Sequence, residues 1–266
     1  MKLKMFGNWR RAPIAIVIVI TAACLTSPAA AQRAGTAKRD STGDAAAALL
    51  NQGRANEARI TLLNAMRAST SQEQKALYRL ELGDTFLYEG KYQEASRAYS
   101  AVLSGKDSVQ VDSLIRWAHH GLALIEAFNG RPTRAATHYA EALRSATSTI
   151  RDTIEMLVLT VQHDSAMRVL DRFAASHKEP NALQFSQAFR GLSWMMSGHC
   201  TQALPEIAKA PQQDRPVPIA IRGRCAIKHG QRVDALAMRD SVLKQQVADP
   251  FAWTVLIARD AARKIE

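Results

Sequence analysis

The residues of this 266-residue chain with the most chemistry to offer are its three cysteines and seven histidines. Cys24 lies in an apolar N-terminal run, which leaves Cys200 and Cys225 as an even pair in the remainder. In an oxidising compartment such a pair reads as a disulfide. Two buried free thiols are the alternative, because unpaired Cys commonly packs as a small hydrophobe. His199 and His229 flank the pair, and Cys225 and His229 are spaced to share one helix face. A metal site from these four has no established spacing behind it and competes with the disulfide. His119 and His120 are adjacent, so they point in different directions on a helix and chelate poorly. Asp and Glu are scattered singly, as on solvated faces. The chain has no phosphate-binding glycine loop, no Gly-x-Ser-x-Gly elbow and no His-Glu-x-x-His. Catalysis needs nucleophile, base or metal ligands that converge. The expectation is a protein that is not an enzyme, with no catalytic, cofactor-binding or metal-binding residue.

The elements that hold these residues follow from composition. Hydrophobic residues make up 47% of the chain and charged ones 22%, which suits a folded core and argues against large-scale disorder. Ala is abundant, while Gly (13) and Pro (9) are few, a balance that favours helices. Beyond position 25 no run of alternating β-branched residues suggests a strand. The N-terminus departs from this pattern. A basic start to Pro13 precedes the apolar run Ile14 to Leu25, then Ser27-Pro28-Ala29-Ala30-Ala31 and Gln32. That order is a secretory signal peptide with cleavage after Ala31. A retained anchor is one alternative; lipidation at Cys24 is another, although Thr21 stands where the lipobox usually has Leu. The expected organisation is a signal peptide over 1–31, a flexible polar linker over 32–43 and a helical repeat domain over 44–266. The net charge is +11; Lys2, Lys4, Arg10 and Arg11 lie in the leader, leaving +7 for the rest. A mildly basic surface favours acidic partners, and export makes nucleic acid an unsuitable one.

An internal period organises the remainder. Gly followed five residues later by Ala recurs at Gly53/Ala58, Gly90/Ala95, Gly130/Ala135, Gly198/Ala203 and Gly230/Ala235. The Gly-to-Gly steps are 37, 40, 68 and 32, so the long step holds one unit without its Gly, at Val161/Ala166/Leu170. Six units with a mean near 35 residues result. The clearest reads Leu82-Gly83-x2-Phe86-x3-Gly90-x-Tyr92-x2-Ala95-x3-Tyr99-x2-Val102-Leu103. It closely resembles the tetratricopeptide repeat, a helix–turn–helix of about 34 residues. Small residues, Gly83 and Ala95, are expected where the two helices cross; Phe86 and Tyr99 fill the space beside them, and Gly90 permits the turn. Ala123, Ala135 and Tyr139 play these parts in the third unit, Gly191, Ala203 and Trp194 in the fifth, Gly223 and Ala235 in the last, and Ala46 and Ala58 in the first. Glu126 and Ala226 depart from an aromatic position, and Arg79 and His119 from the repeat-opening Trp. The resemblance covers roughly residues 39 to 266. It implies an all-α, right-handed α-solenoid of about six units, with a last helix opening near Asp249-Pro250 as a cap.

In such arrays the first helices line a concave groove. The register sends Leu87, Tyr88, Trp117, Leu124, Phe128, Phe185, Leu192, Met195 and Met196 to that face, an apolar surface suited to a helix or extended peptide. Packing against neighbouring helices is the bland alternative for about half of them. Paired Lys and Asn for gripping a C-terminal carboxylate are missing from this register. The repeat also places Cys200 and Cys225 on antiparallel neighbouring helices near one end. The resemblance thus implies a periplasmic or secreted scaffold of the bacterial envelope that binds a protein or peptide, with no membrane span in the mature chain. The alternative is a binder of anionic envelope polymer or lipid, using Arg222, Arg224, Lys228 and Arg232. Intact-mass measurement of natively exported protein should give an N-terminus at Gln32; a diacylglyceryl mass on Cys24 would install the lipoprotein reading instead.

Overall fold

A computed structural model describes residues 40–104, 111–146, 148–250 and 252–266. The expected signal peptide and most of the linker therefore lie outside the described residues. Thirteen helices occupy the described part: α1 (Ser41–Asn51), α2 (Ala55–Ala68), α3 (Gln72–Glu89), α4 (Tyr92–Leu103), α5 (Asp112–Phe128), α6 (Pro132–Leu143), α7 (Ile150–Leu159), α8 (His163–Ser176), α9 (Pro180–Met196), α10 (Cys200–Ala208), α11 (Pro216–Lys228), α12 (Arg232–Lys244) and α13 (Trp253–Arg263). No strand is present among the described residues. The first twelve pair as six helix–turn–helix units, an all-α solenoid of the tetratricopeptide kind. Ser41 to Gly43, expected as the linker's end, instead form the first turn of α1. Asp40 caps that turn by accepting from the Thr42 and Gly43 amides at 3.0 and 3.1 Å.

One local device recurs in every unit. The turn residue takes a positive φ at Gly53 (75°), Gly90 (81°), Gly130 (71°), Gly198 (84°) and Gly230 (77°). The next residue's N–H then reaches back to a carbonyl five positions earlier, closing the helix end in a 6→1 bond. These bonds run from Arg54 to Leu49, Lys91 to Phe86, Arg131 to Glu126, Gln162 to Leu157, His199 to Trp194 and Gln231 to Ala226, all at 2.8–2.9 Å. In the fourth unit Val161 holds the glycine's place and adopts the same conformation, at φ 59°. A β-branched residue is strained there, because its Cβ crowds the backbone.

Five residues beyond each turn, Ala58, Ala95, Ala135, Ala166, Ala203 and Ala235 are all fully buried, so the period read from the sequence is the packing period. Tyr99 and Tyr139 follow one helical turn later, both essentially without exposure. A Cβ built on Gly83 would meet the Tyr99 ring at 2.7 Å, and one on Gly121 of the next unit would meet it at 2.5 Å. The ring is therefore held between two glycines on α3 and α5. Gly83 makes room for this side chain rather than for a bare backbone crossing. Gly191 likewise faces Ile207, and Gly223 faces Ile265.

Cys200 and Cys225 stand at disulfide distance with Cα atoms 5.4 Å apart, joining the start of α10 to α11. Replacing Val161 with Gly should relieve the one strained turn. The expected gain is about 1 kcal/mol, read as a thermal midpoint about 2–4 °C higher. An unchanged or lower midpoint would count against strain at that turn.

Candidate ligand-binding face

The first helices of the second to sixth units, α3, α5, α7, α9 and α11, carry the face expected to receive a ligand. Two buried polar networks brace it. Tyr99 donates to Asp84 at 2.5 Å, with the Trp117 indole 3.4 Å from the same oxygen. Tyr139 donates to Glu155 at 3.1 Å, and His120 Nε2 lies 2.5 Å from that carboxylate. Burial, reinforced by the facing carboxylates, holds both phenols well above their ordinary pKa, so each stays a donor.

Over part of this face lies α13. It packs on α11 and α12, as an array-closing helix should, but it also reaches α3. Its attachment is largely cationic. The last carbonyls of a helix have no intrahelical partner and sit at the negative end of the dipole, and α13 supplies them with donors. Arg259 donates to the Tyr88 carbonyl at 3.1 Å and to that of Leu243 at 2.8 Å, while its guanidinium lies 3.7 Å over the Tyr88 ring. Arg263 donates to the same Tyr88 carbonyl, and Lys264 to that of Phe128 at 2.8 Å. Burial pulls Arg259 down to about 10, still cationic at neutral pH. Tyr92 donates to Asp260 at 2.7 Å. Trp253 stacks on His120 at 4.5 Å and meets Trp117 edge-on at 6.1 Å. Ahead of α13, Asn51 exchanges two hydrogen bonds with Val247, of 2.7 and 3.3 Å, tying the last segment to the first unit.

The sequence-derived groove residues are thus divided. Leu87, Tyr88, Leu124, Phe128 and Leu192 are buried. Tyr88 carries Arg259 of α13 on its ring and Phe128 carries Lys264, the residue after α13, while Trp117 is half-buried beside Trp253. Met195 is half-buried and Met196 exposed. Phe185 alone of the nine lines a cavity of about 360 Å³, formed by α7, α9, Gln212, Arg215 and the start of α11, and Val247, Ala248, Asp249, Ala252, Thr254 and Val255. Phe185 stacks on Phe189 at 4.3 Å, and the Arg151 guanidinium stands 5.0 Å over its ring. Arg215 and Asp249 also line the cavity. The last helix begins at Trp253, not at the Asp249-Pro250 step, and Asp249 and Ala252 line the cavity.

The basic residues of the last unit do not form a common stripe. Arg222, Arg224 and Lys228 donate to the carbonyls of Gln213, Lys264 and Gly198 respectively. The paired histidines also separate: His120 faces Glu155, whereas His119 meets His138 with Nδ1 atoms 3.3 Å apart. Gly121 and the cavity residues Arg151 and Arg215 were not legible in the repeat pattern, since none occupies a signature position.

No family model matches the chain, and no curated protein matches it. Among solved structures it is similar to a tetratricopeptide repeat protein from Parabacteroides merdae ATCC 43184. The identity is 13% and the TM-score 0.38, over 84% of this chain and 98% of that one. The repeat assignment rests on the six turns and their buried alanines. They define a tetratricopeptide-like α-solenoid, a class that typically serves as a non-catalytic scaffold for protein partners. No helix among the described residues is long and apolar enough to cross a membrane.

Burial, and for His119 the facing His138, lowers the pKa of both imidazoles; Glu126 and Glu141 oppose the shift. The neutral pair favours the fold, so its contribution is complete above the unfolded-state value near 6.5 and drains as pH falls toward the lowered folded values. Urea midpoints from pH 7.5 down to 5 should therefore fall less steeply for the double variant His119→Gln/His138→Gln than for the native chain. Parallel slopes would exclude the pair as a source of acid sensitivity.

Proposed function

We propose that this chain is an exported scaffold of the cell envelope that docks a protein segment in the portion of its inner face left open by α13. One observation carries the reading: α13 fills the face at Tyr88, Trp117 and Phe128, and an apolar cavity remains over Phe185 and Phe189. Concave, mostly apolar sites with a few fixed polar groups are where ligands bind. The N-terminal leader pattern and the Cys200–Cys225 pair support work in an oxidising compartment. The anionic-polymer alternative loses support, because three of its four basic residues are committed to carbonyls of the chain itself.

The test is site-specific photo-crosslinking in the native envelope, with the reactive group at Asn181 or Thr254 on the cavity and at Val233, which is 82% exposed on α12, as the control. A partner band is expected from the cavity positions only, and Asn181→Trp, which crowds the opening, should reduce it at least tenfold. Phe128→Glu should instead destabilise the chain, since it replaces a buried ring in the core with a charged group that must be desolvated. Crosslinking that is equal at Val233 and the cavity would end the docking assignment.

A further inference from the structure

The cavity has a chemical preference that follows from how its two arginines are held. The Arg151 guanidinium lies between two rings, 5.0 Å over Phe185 and 5.8 Å over Phe173. It makes no ion pair among the described residues; the neighbouring Asp152 carboxylate pairs with Arg116 at 3.3 Å instead. Arg215, also in the lining, donates its Nε to Gln212 Oε1 at 2.5 Å. Gln212 is itself clamped by Gln184 through hydrogen bonds of 2.8 and 2.7 Å. The Nη atoms of Arg215 enter no ion pair among the described residues, so the fork is oriented with its end donors available. The lining also includes one carboxylate, Asp249, which is already engaged within the chain. Phe185 and Phe189, with Val217 and Val255, supply an apolar part of the lining.

Two cations held in place by stacking and by an amide clamp have lost little further entropy when a carboxylate arrives. An Arg–carboxylate contact adds directionality that apolar packing lacks. The apolar floor, at about 360 Å³, is at the small end of ligand sites and suits one or two side chains rather than a large ligand. We infer that the cavity recognises an internal peptide segment in which an acidic side chain stands beside a large apolar one, the carboxylate meeting Arg151 and Arg215 and the apolar group covering Phe185. This deepens the docking assignment above and depends on it.

The probe is an end-blocked, fluorescein-labelled peptide, Gly-Ser-Glu-Leu-Phe-Ser-Gly-amide, with its Glu→Gln counterpart, titrated against the mature chain by fluorescence polarisation. The Glu peptide should bind about tenfold more tightly, the scale of one charge-assisted contact, and the difference should shrink as salt rises. Arg151→Gln and Arg215→Gln should each narrow the gap between the peptides while leaving the Gln peptide's affinity unchanged; both positions are exposed, so folding should survive, as circular dichroism would confirm. Equal affinity for the two peptides on the native chain would overturn the charge preference but spare the docking site, provided Asn181→Trp still weakens both. Binding of neither peptide at millimolar concentration would overturn the inference, and the crosslinking contrast would then decide the docking site by itself. Displacement of the Glu peptide by Asn181→Trp but not by either arginine variant would likewise remove the charge rule. Binding of dodecanoate with no peptide bound would assign the cavity to an anionic amphiphile instead.

Discussion

Each unit of the array turns on a single residue held at positive φ. That residue lets the following N–H bond back five positions, which stops the first helix and starts the second in a fixed direction. Because the turn sets where the second helix begins, the Ala five residues beyond it always arrives at the same depth against its partner, fully buried in all six units. The larger side chain one turn later then fills the remaining space. Val161 shows how strong the constraint is. The fourth unit keeps the turn geometry even without glycine, since abandoning it would misdirect α8 and expose Ala166 and Leu170, while the strain is confined to one residue.

Stacked units leave one polar problem. Every first helix ends in carbonyls without intrahelical partners, and those of α3 and α5 lie near the inner face. The C-terminal helix resolves it with Arg259, Arg263 and Lys264, whose charges also complement the helix dipoles. Aromatic contacts at Trp253 fix its other end. In consequence α13 joins residues more than 160 positions apart, such as Tyr92 and Asp260. It packs on the last unit, as a terminal element of a repeat array must, and it also covers Tyr88 and Trp117 on the first helices of the second and third units. Chemistry suited to structure dominates the covered half, where His120, Glu155 and Tyr139 satisfy one another. Away from α13, the Arg151 guanidinium lies over the rings of Phe185 and Phe173.

By itself the sequence determined the local order. Turn glycines, the buried alanines, the missing glycine at Val161 and the second-helix tyrosines were legible because each works through neighbours within one unit, at fixed sequence spacing. The pairing of Cys200 with Cys225 was legible in the same sense, once adjacent units were known to be antiparallel neighbours. The position of α13 was decided only in the tertiary structure. A repeat pattern specifies contacts between one unit and the next, and nothing in it specifies which distant carbonyls Arg259 or Lys264 will reach. The same holds for Gly121, whose smallness serves the Tyr99 ring of the preceding unit. It holds also for the cavity, one side of which is made by the start of α13 and the residues just before it. Residues such as Tyr88 and Phe128 have the composition of an open groove and of a helix interface alike. Long-range packing chose between the two, since apolar surface is buried by whichever partner reaches it first at high effective concentration, and here that partner is tethered to the same chain.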